Sequence, residues 1–295
     1  MSHQMNRCDS RTHDDTKHVR GHPLAASGVM PHLDARLHCG GVSSSKDGTR
    51  AKAYHRRLRM EACKYIVNTL TSPEVGPRSA SKRDALLANV HVWDRLAGTL
   101  QSTFPLDSIP LSEHVDYGAT VLDFGCGEGR LLAKLAGRYA RVIGCDTSPR
   151  MCHLAEASAR NAAVVTLPDP RCLPFPISRF DAVVAVGVLS SIIPGDERRA
   201  LASRLWRRLP DQGVIVLADF GMSPAPSYLS RYRDAVLETH TIRTAEGLLI
   251  HHFSLDELVG LVPPEGKVEV ARTVDAHTVH GNPIPGHVAI IRKTH

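Results

Sequence analysis

Short apolar runs separated by helical patterns organise the chain from residue 117 onward. We predict strands over 119–124, 141–145, 163–166, 180–186 and 213–218, because consecutive apolar residues are typical of buried strands. Helical spacing between these runs predicts helices over 130–139, 149–160 and 195–208. Strands that alternate with helices predict an α/β fold with a doubly wound, mostly parallel sheet and helices on both faces.

The end of the chain follows a different pattern. Residues 267–274 and 286–292 have the composition of two strands, with a Gly-Asn-Pro turn region and no helical pattern between them. They predict an antiparallel pair that closes a seven-stranded sheet. The longest insertion, residues 220–259, separates this pair from the fifth strand.

The first 116 residues divide into two segments. Residues 1–50 are rich in His, Ser, Gly and Arg and lack apolar periodicity, so we expect a disordered, basic tail. Residues 51–116 form a helical segment with helices predicted over 51–70 and 82–100, the second capped by Ser81. We expect this segment to contribute a lid over the ligand-binding domain, residues 117–295.

The net charge of +6 is carried by residues 1–60. Residues 1–60 hold 11 Lys or Arg and 5 Asp or Glu, whereas the remainder of the chain is neutral. A neutral core argues against a nucleic-acid surface on the folded part, but the basic tail leaves contact with RNA open. No apolar run approaches the roughly 20 residues of a membrane helix, so no membrane contact is expected.

The cysteines and histidines show no ligand spacing. Seven cysteines without a Cys-x-x-Cys pair predict free thiols in a reducing compartment, and therefore a cytoplasmic protein. We expect no metal site. The oligomeric state does not follow from the sequence.

A glycine-rich turn follows the first predicted strand. In the stretch Asp123-x-Gly125-x-Gly127-x-Gly129, the glycines allow a sharp turn, and the following helix start offers free N–H donors. Alone, this turn also fits a dinucleotide site or a tight connection without a ligand.

Carboxylates at successive strand ends change that interpretation. Asp123 suits a cationic ammonium group and would repel a pyrophosphate, which argues against a nicotinamide oxidoreductase. Asp146 ends the second strand, where a carboxylate can accept both hydroxyls of a ribose. Asp169 follows the third strand and is a candidate acceptor for an adenine amino group. Open α/β sheets bind ligands at this edge.

The stretch 120–292 resembles the class I, seven-stranded methyltransferases that use S-adenosylmethionine. The resemblance rests on Val121-Leu-Asp-Phe-Gly-Cys-Gly-Glu-Gly-Arg130, on Val142-Ile-Gly-Cys-Asp-Thr-Ser-Pro-Arg-Met151 and on Asp169-x-x-x-Leu-Pro-Phe175. It implies S-adenosylmethionine as cofactor, held by Asp123, Gly125, Cys126, Gly127, Gly129, Asp146, Thr147, Met151, Asp169, Pro170, Val186 and Gly187.

The chain departs from the family at two positions. Pro170 stands where relatives have an N–H that meets the adenine ring, and proline has none. Ser190-Ser191 replaces the His-His that many relatives carry after the fourth strand, which puts an acceptor role there in doubt.

The acceptor site is expected above the strand ends, under a lid formed by the insertion and the helix around Trp93. Candidate acceptor residues are Trp93, Asp219, Tyr228 and Tyr232. His251 and His252 are candidate general bases, since imidazole titrates near neutral pH; the alternative is that both cap a helix starting near Ser254 or stay exposed.

We predict methyl transfer to an O or N atom of a small molecule. The alternatives are an RNA methyltransferase steered by the basic tail, and a non-catalytic protein that uses the cofactor fold to bind a partner.

Overall fold

The computed structural model describes residues 53, 56–58, 60–62, 80–173, 180–235 and 237–294. They belong to one compact unit, residues 44–295. The tail predicted over 1–50 lies outside the described residues. Of the helix predicted over 51–70, only the described positions 53, 56–58 and 60–62 can be assigned, and they are helical.

A seven-stranded sheet has the order β3-β2-β1-β4-β5-β9-β8. Its strands are β1 (Thr120–Phe124), β2 (Arg141–Asp146), β3 (Ala163–Thr166), β4 (Ala182–Val186), β5 (Val214–Phe220), β8 (Lys267–His277) and β9 (Pro283–Arg292). The first five are parallel, and β9 pairs antiparallel with both β5 and β8. The predicted doubly wound sheet with an antiparallel C-terminal pair is confirmed.

Helices cover both faces of the sheet. They are α1 (Ala80–Leu96), α2 (Arg130–Ala136), α3 (Pro149–Ser158), α4 (Gly195–Arg208), α5 (Pro226–Arg233) and α6 (Leu255–Val259). Local sequence sets several ends. Ser148 accepts a hydrogen bond from Met151 N at the start of α3, and Ser254 caps α6 in the same way through Glu257 N. Helix α1 ends four residues before the predicted limit, because Gly98 turns into the left-handed region (φ +80°).

Two apolar layers sandwich the sheet. Leu122 and Val183 face one layer, which includes Trp206 of α4, whereas Val121 and Val184 face the other. Because both faces of the parallel strands are buried, the strands are continuous apolar runs and do not alternate with polar residues. This is why the sequence pattern located them well.

The insertion between β5 and β8 contains an element that the sequence pattern did not predict. After α5, a two-stranded hairpin of β6 (Thr241–Arg243) and β7 (Leu249–His251) precedes α6. Strands of three residues are too short to show periodicity.

Candidate functional site

One cleft opens at the carboxyl ends of β1, β2 and β4. It encloses about 1100 Å³, counting space open to solvent. Of the residues predicted to bind cofactor or acceptor, those that line it are Trp93, Asp123, Gly125, Cys126, Gly127, Asp146, Thr147, Met151, Pro170, Val186 and Gly187.

The glycine-rich turn needs glycine for two different reasons. At Gly125 the backbone is left-handed (φ +75°), and a Cβ would lie 2.4 Å from Val188 Cγ2. Gly129 is also left-handed (φ +84°), but a Cβ there would meet Ala155 of α3 at 2.9 Å. Gly129 does not line the cleft. Gly129 therefore allows the close packing of the turn against α3, and its contact with the cofactor stays a prediction.

Asp123 is a buried carboxyl group at the floor of the cleft. Its Oδ2 has no hydrogen-bond partner among the described residues. Burial, and next the negative charge of Asp146, raise the pKa of Asp123 to about 7. A buried carboxylate without a partner is costly, so the group is suited to a cationic ligand that neutralises it.

Asp146 is held by backbone donors at the end of β2. Its Oδ2 accepts from Gly127 N (3.0 Å) and its Oδ1 from Ser148 N (2.9 Å). Burial raises the pKa of Asp146, while these N–H donors act in the opposite direction. Each oxygen retains a lone pair, so the oriented carboxylate is able to accept two ribose hydroxyls.

Asp169 is paired with a neighbour in the chain. Its Oδ1 accepts from Arg171 Nε (2.8 Å) and its Oδ2 from Arg171 Nη2 (2.6 Å). Pro170 lines the cleft, but Asp169 does not. The bidentate pair orients this carboxylate, and its role as adenine acceptor stays a prediction.

Two charged residues of the cleft were missed. Arg130, which follows the last glycine of the turn, lines the cleft and donates from Nη2 to Phe104 O (2.6 Å). Glu128 accepts from Gly98 N (2.5 Å) and from Gln101 Nε2 (3.2 Å), and so fastens the loop after α1 to the glycine-rich turn. Both residues flank Gly129, so their position in the glycine-rich stretch could have predicted that they line the cleft.

The turn after β4 is hydrogen-bonded directly to helix α1, and both line the cleft. Trp93 Nε1 donates to Ser191 Oγ (3.1 Å). Asn89, which is buried, donates from Nδ2 to Ser191 O (2.8 Å) and Leu249 O (2.7 Å), and its Oδ1 accepts from Leu249 N (2.9 Å). The helix around Trp93 and the insertion are thus bonded to each other. Asn89 was not predicted as a site residue. A polar amide among the apolar positions of a predicted helix could have indicated a buried, hydrogen-bonded side chain there.

The candidate bases lie away from the cleft. His252 Nδ1 is 2.6 Å from the Tyr232 hydroxyl, and burial is the main cause that lowers the pKa of His252 to about 3. His251 Nε2 lies 2.9 Å from Glu257 Oε1, and its Nδ1 lies 3.2 Å from Thr241 Oγ1. Neither imidazole lines the cleft. Their ring nitrogens meet interior partners, so the structure does not bring either to an acceptor.

Three further acceptor candidates are also outside the cleft lining. Asp219 is buried and accepts from Ser190 N and Phe220 N, both at 2.9 Å, so it supports the turn after β4. Tyr228 and Tyr232 pack against each other and against the His252 ring, at centroid distances of 5.6–6.2 Å. These side chains pack against the turn after β4 and within the insertion, and their contact with an acceptor stays a prediction.

The described residues contain no cluster of His, Cys, Asp and Glu that could hold a metal. Cys126, Cys145, Cys152 and Cys172 are free thiols. No helix in the described part of the chain is long and apolar enough to cross a membrane.

Comparison with known proteins agrees with this geometry. Residues 121–213 match the model of a methyltransferase domain family. A solved S-adenosylmethionine-dependent methyltransferase from Methanosarcina mazei superposes with a TM-score of 0.58 and 26% identity, over 66% of this chain and 99% of that one. Residues 121–213 are a methyltransferase domain, and the S-adenosylmethionine-dependent methyltransferases are the class of protein that the chain resembles in fold and site. That resemblance implies S-adenosylmethionine as the cofactor of the cleft.

Curated relatives differ in their acceptors. A ubiquinone biosynthesis O-methyltransferase from Methylobacterium sp. is 36% identical over 30% of this chain and 34% of its own length. A ribosomal protein L11 methyltransferase from Burkholderia mallei is 41% identical over 37% of this chain and 34% of its own length. The chain spans about a third of both relatives, and 63% of a further relative, an uncharacterized Bacillus licheniformis methyltransferase. The matches therefore do not specify an acceptor.

Proposed function

We propose that the chain transfers the methyl group of S-adenosylmethionine to an O or N atom of a small molecule bound at the β4 side of the cleft. The observation that carries this proposal is the buried, unpartnered Oδ2 of Asp123, beside the ribose-type carboxylate of Asp146. A cationic ammonium and a ribose diol are the groups these two carboxylates fit.

The cleft residues divide by strand. Residues at the ends of β1, β2 and β3 (Asp123, Gly127, Asp146, Met151 and Pro170) would hold the cofactor. Arg130 would supply positive charge for the carboxylate of its methionine part. The remaining wall, from α1 and the turn after β4, leaves the acceptor next to the sulfonium, which provides the electrophilic methyl group.

The protein's own contribution is alignment and exclusion of water. The segment 51–116 and the insertion 220–259 would act together as the lid, because Asn89 bonds α1 to Leu249 of the insertion. The Glu128 bonds close the loop that follows α1 over the cofactor side. Free buried thiols fit a reducing compartment, which is why we propose a cytoplasmic location.

The test has two stages. Calorimetry with S-adenosylmethionine should show binding by the wild type and at least tenfold weaker binding by Asp146→Ala. Incubation of the protein with cofactor labelled at the methyl group and cell extract should then label a small molecule. Binding without transfer to any acceptor would favour the non-catalytic alternative, and no binding would refute the proposal.

A second candidate function is favoured by the charge of residues 1–60, with 11 basic and 5 acidic side chains. If residues 1–60 steer RNA, label should appear in RNA. Removal of residues 1–49, together with Gln in place of the five basic residues of 50–60, should then weaken RNA binding and its salt dependence. A small-molecule enzyme keeps its turnover after the same changes. Label in protein would instead point to an acceptor of the ribosomal-protein type.

A further inference from the structure

Helix α1 holds a single residue of the turn after β4 with two side chains. Asn89 and Trp93 are four residues apart, so they lie on one face of the helix. Asn89 bonds the Ser191 carbonyl at 2.8 Å, and the Trp93 indole N–H bonds the Ser191 hydroxyl at 3.1 Å. The indole is therefore fixed at its polar edge.

This clamp lines the cleft at the turn after β4, whereas Asp123 and Asp146 lie at the ends of β1 and β2. Val90, Val188 and Ile192 line the cleft beside Trp93 and are apolar. The polar groups of the clamp are already bonded to one another, and Asn89 uses its remaining donor and its acceptor on Leu249. What this wall offers a ligand is apolar surface and the half-buried indole ring.

We propose that Trp93 determines acceptor specificity, and that the acceptor carries its O or N nucleophile on a planar aromatic ring that packs against the indole. The inference rests on the proposed function, since it assigns the substrate class of the same site. Aromatic pairs interact more favourably than area burial alone provides, so a planar ring gains over a saturated ring of equal size. Ser191 is the positioning residue, because its hydroxyl fixes the indole.

Phenol and cyclohexanol form a matched pair of probes, since they share a six-membered ring and a hydroxyl but only phenol is planar. Their affinities are measured by calorimetry on protein saturated with S-adenosylhomocysteine. We expect the wild type and Trp93→Phe to prefer phenol by roughly two- to tenfold, and Trp93→Leu to lose the preference. All three proteins should bind S-adenosylhomocysteine with the same affinity.

Intrinsic fluorescence gives a second readout, because the chain has 2 tryptophans and Trp206 is buried in the core (2% exposed). Phenol should quench the wild type more than Trp93→Phe, in which only Trp206 reports. Ser191→Ala should shift the Trp93 emission and weaken phenol binding, with unchanged affinity for S-adenosylhomocysteine.

The outcomes separate the two proposals. No binding of the cofactor product by the wild type would refute the proposed function. The aromatic assignment alone would be overturned if the wild type binds S-adenosylhomocysteine normally but binds both probes equally or binds neither. A preference for phenol that survives in Trp93→Leu would overturn it as well.

Discussion

Replacing Asp123 by Asn should stabilise the ligand-free protein and weaken cofactor binding at the same time. The pKa of Asp123 is raised from 3.8 to about 7, mainly by burial. A raised carboxyl pKa means that the unfolded chain loses its proton first. The group's contribution to stability is therefore complete below about pH 4 and is lost as the pH rises to about 7.

The magnitude follows from the same values. A difference of about three pKa units at 1.36 kcal/mol each gives about 4 kcal/mol, an upper figure for a buried group that can relax. The amide of Asn cannot ionise. The variant should exceed the wild type in free energy of unfolding by about 2 kcal/mol near pH 5.5, and by about 4 kcal/mol above pH 7.5.

Urea unfolding followed by circular dichroism between pH 5.5 and 8.5 measures this difference. Asp219→Asn is the matched control: Asp219 is equally buried, but its carboxylate accepts from two backbone N–H groups. Burial raises the pKa of Asp219 as well, but the control should gain less stability than Asp123→Asn, because an amide places a donor against a donor. Parallel pH curves for Asp123→Asn and the wild type would refute the reasoning.

Four further predictions test other parts of the site and fold. Gly125→Ala should lose cofactor binding by calorimetry and destabilise the fold by at least ~1–2 kcal/mol, because of its positive φ and the contact with Val188; an unchanged melting curve would contradict it. Asn89→Ala leaves buried backbone groups of Ser191 and Leu249 unpaired and should cost ~1–3 kcal/mol in urea unfolding, whereas exposed Ala88 changed to Ser serves as a control with little effect. His252→Ala should keep turnover within a few-fold of the wild type in the methyl-transfer assay, and a loss of a hundredfold or more would restore it as a base. Glu269, whose pKa Arg292 lowers to about 2, stabilises the fold above about pH 4.5 and loses this effect as the pH falls toward 2; Glu269→Gln should show a flatter acid limb in denaturation followed by circular dichroism.

The cofactor half of the site was largely predictable from the sequence, because it is built from local signals. A buried strand, a glycine turn and a carboxylate at the next strand end are each encoded within a few residues, and Asp123, Gly127 and Asp146 meet as expected. The pairing of Asp169 with Arg171 was not predicted, because the sequence gives no rule for which nearby donor a carboxylate meets.

The acceptor half was not predictable in the same way. Asn89 meets residues 102 and 160 positions away, and no periodicity reports such distant pairing. His251 and His252 looked functional because histidine is often catalytic. Their actual partners are Glu257 and Tyr232. Tyr232 lies on a helix of eight residues and His251 on a strand of three, and elements this short leave little sequence pattern to predict such contacts. Burial by tertiary packing decided their role.

The bonds of helix α1 to Ser191 and Leu249 also limit the order in which parts of the site can form during synthesis. During synthesis α1 leaves the ribosome before any strand of the sheet, yet Asn89 and Trp93 gain their first partner only when Ser191 has emerged. The remaining bonds of Asn89 wait for Leu249. The wall that would select the acceptor is therefore completed after the cofactor cradle of β1–β3 already has all its residues available.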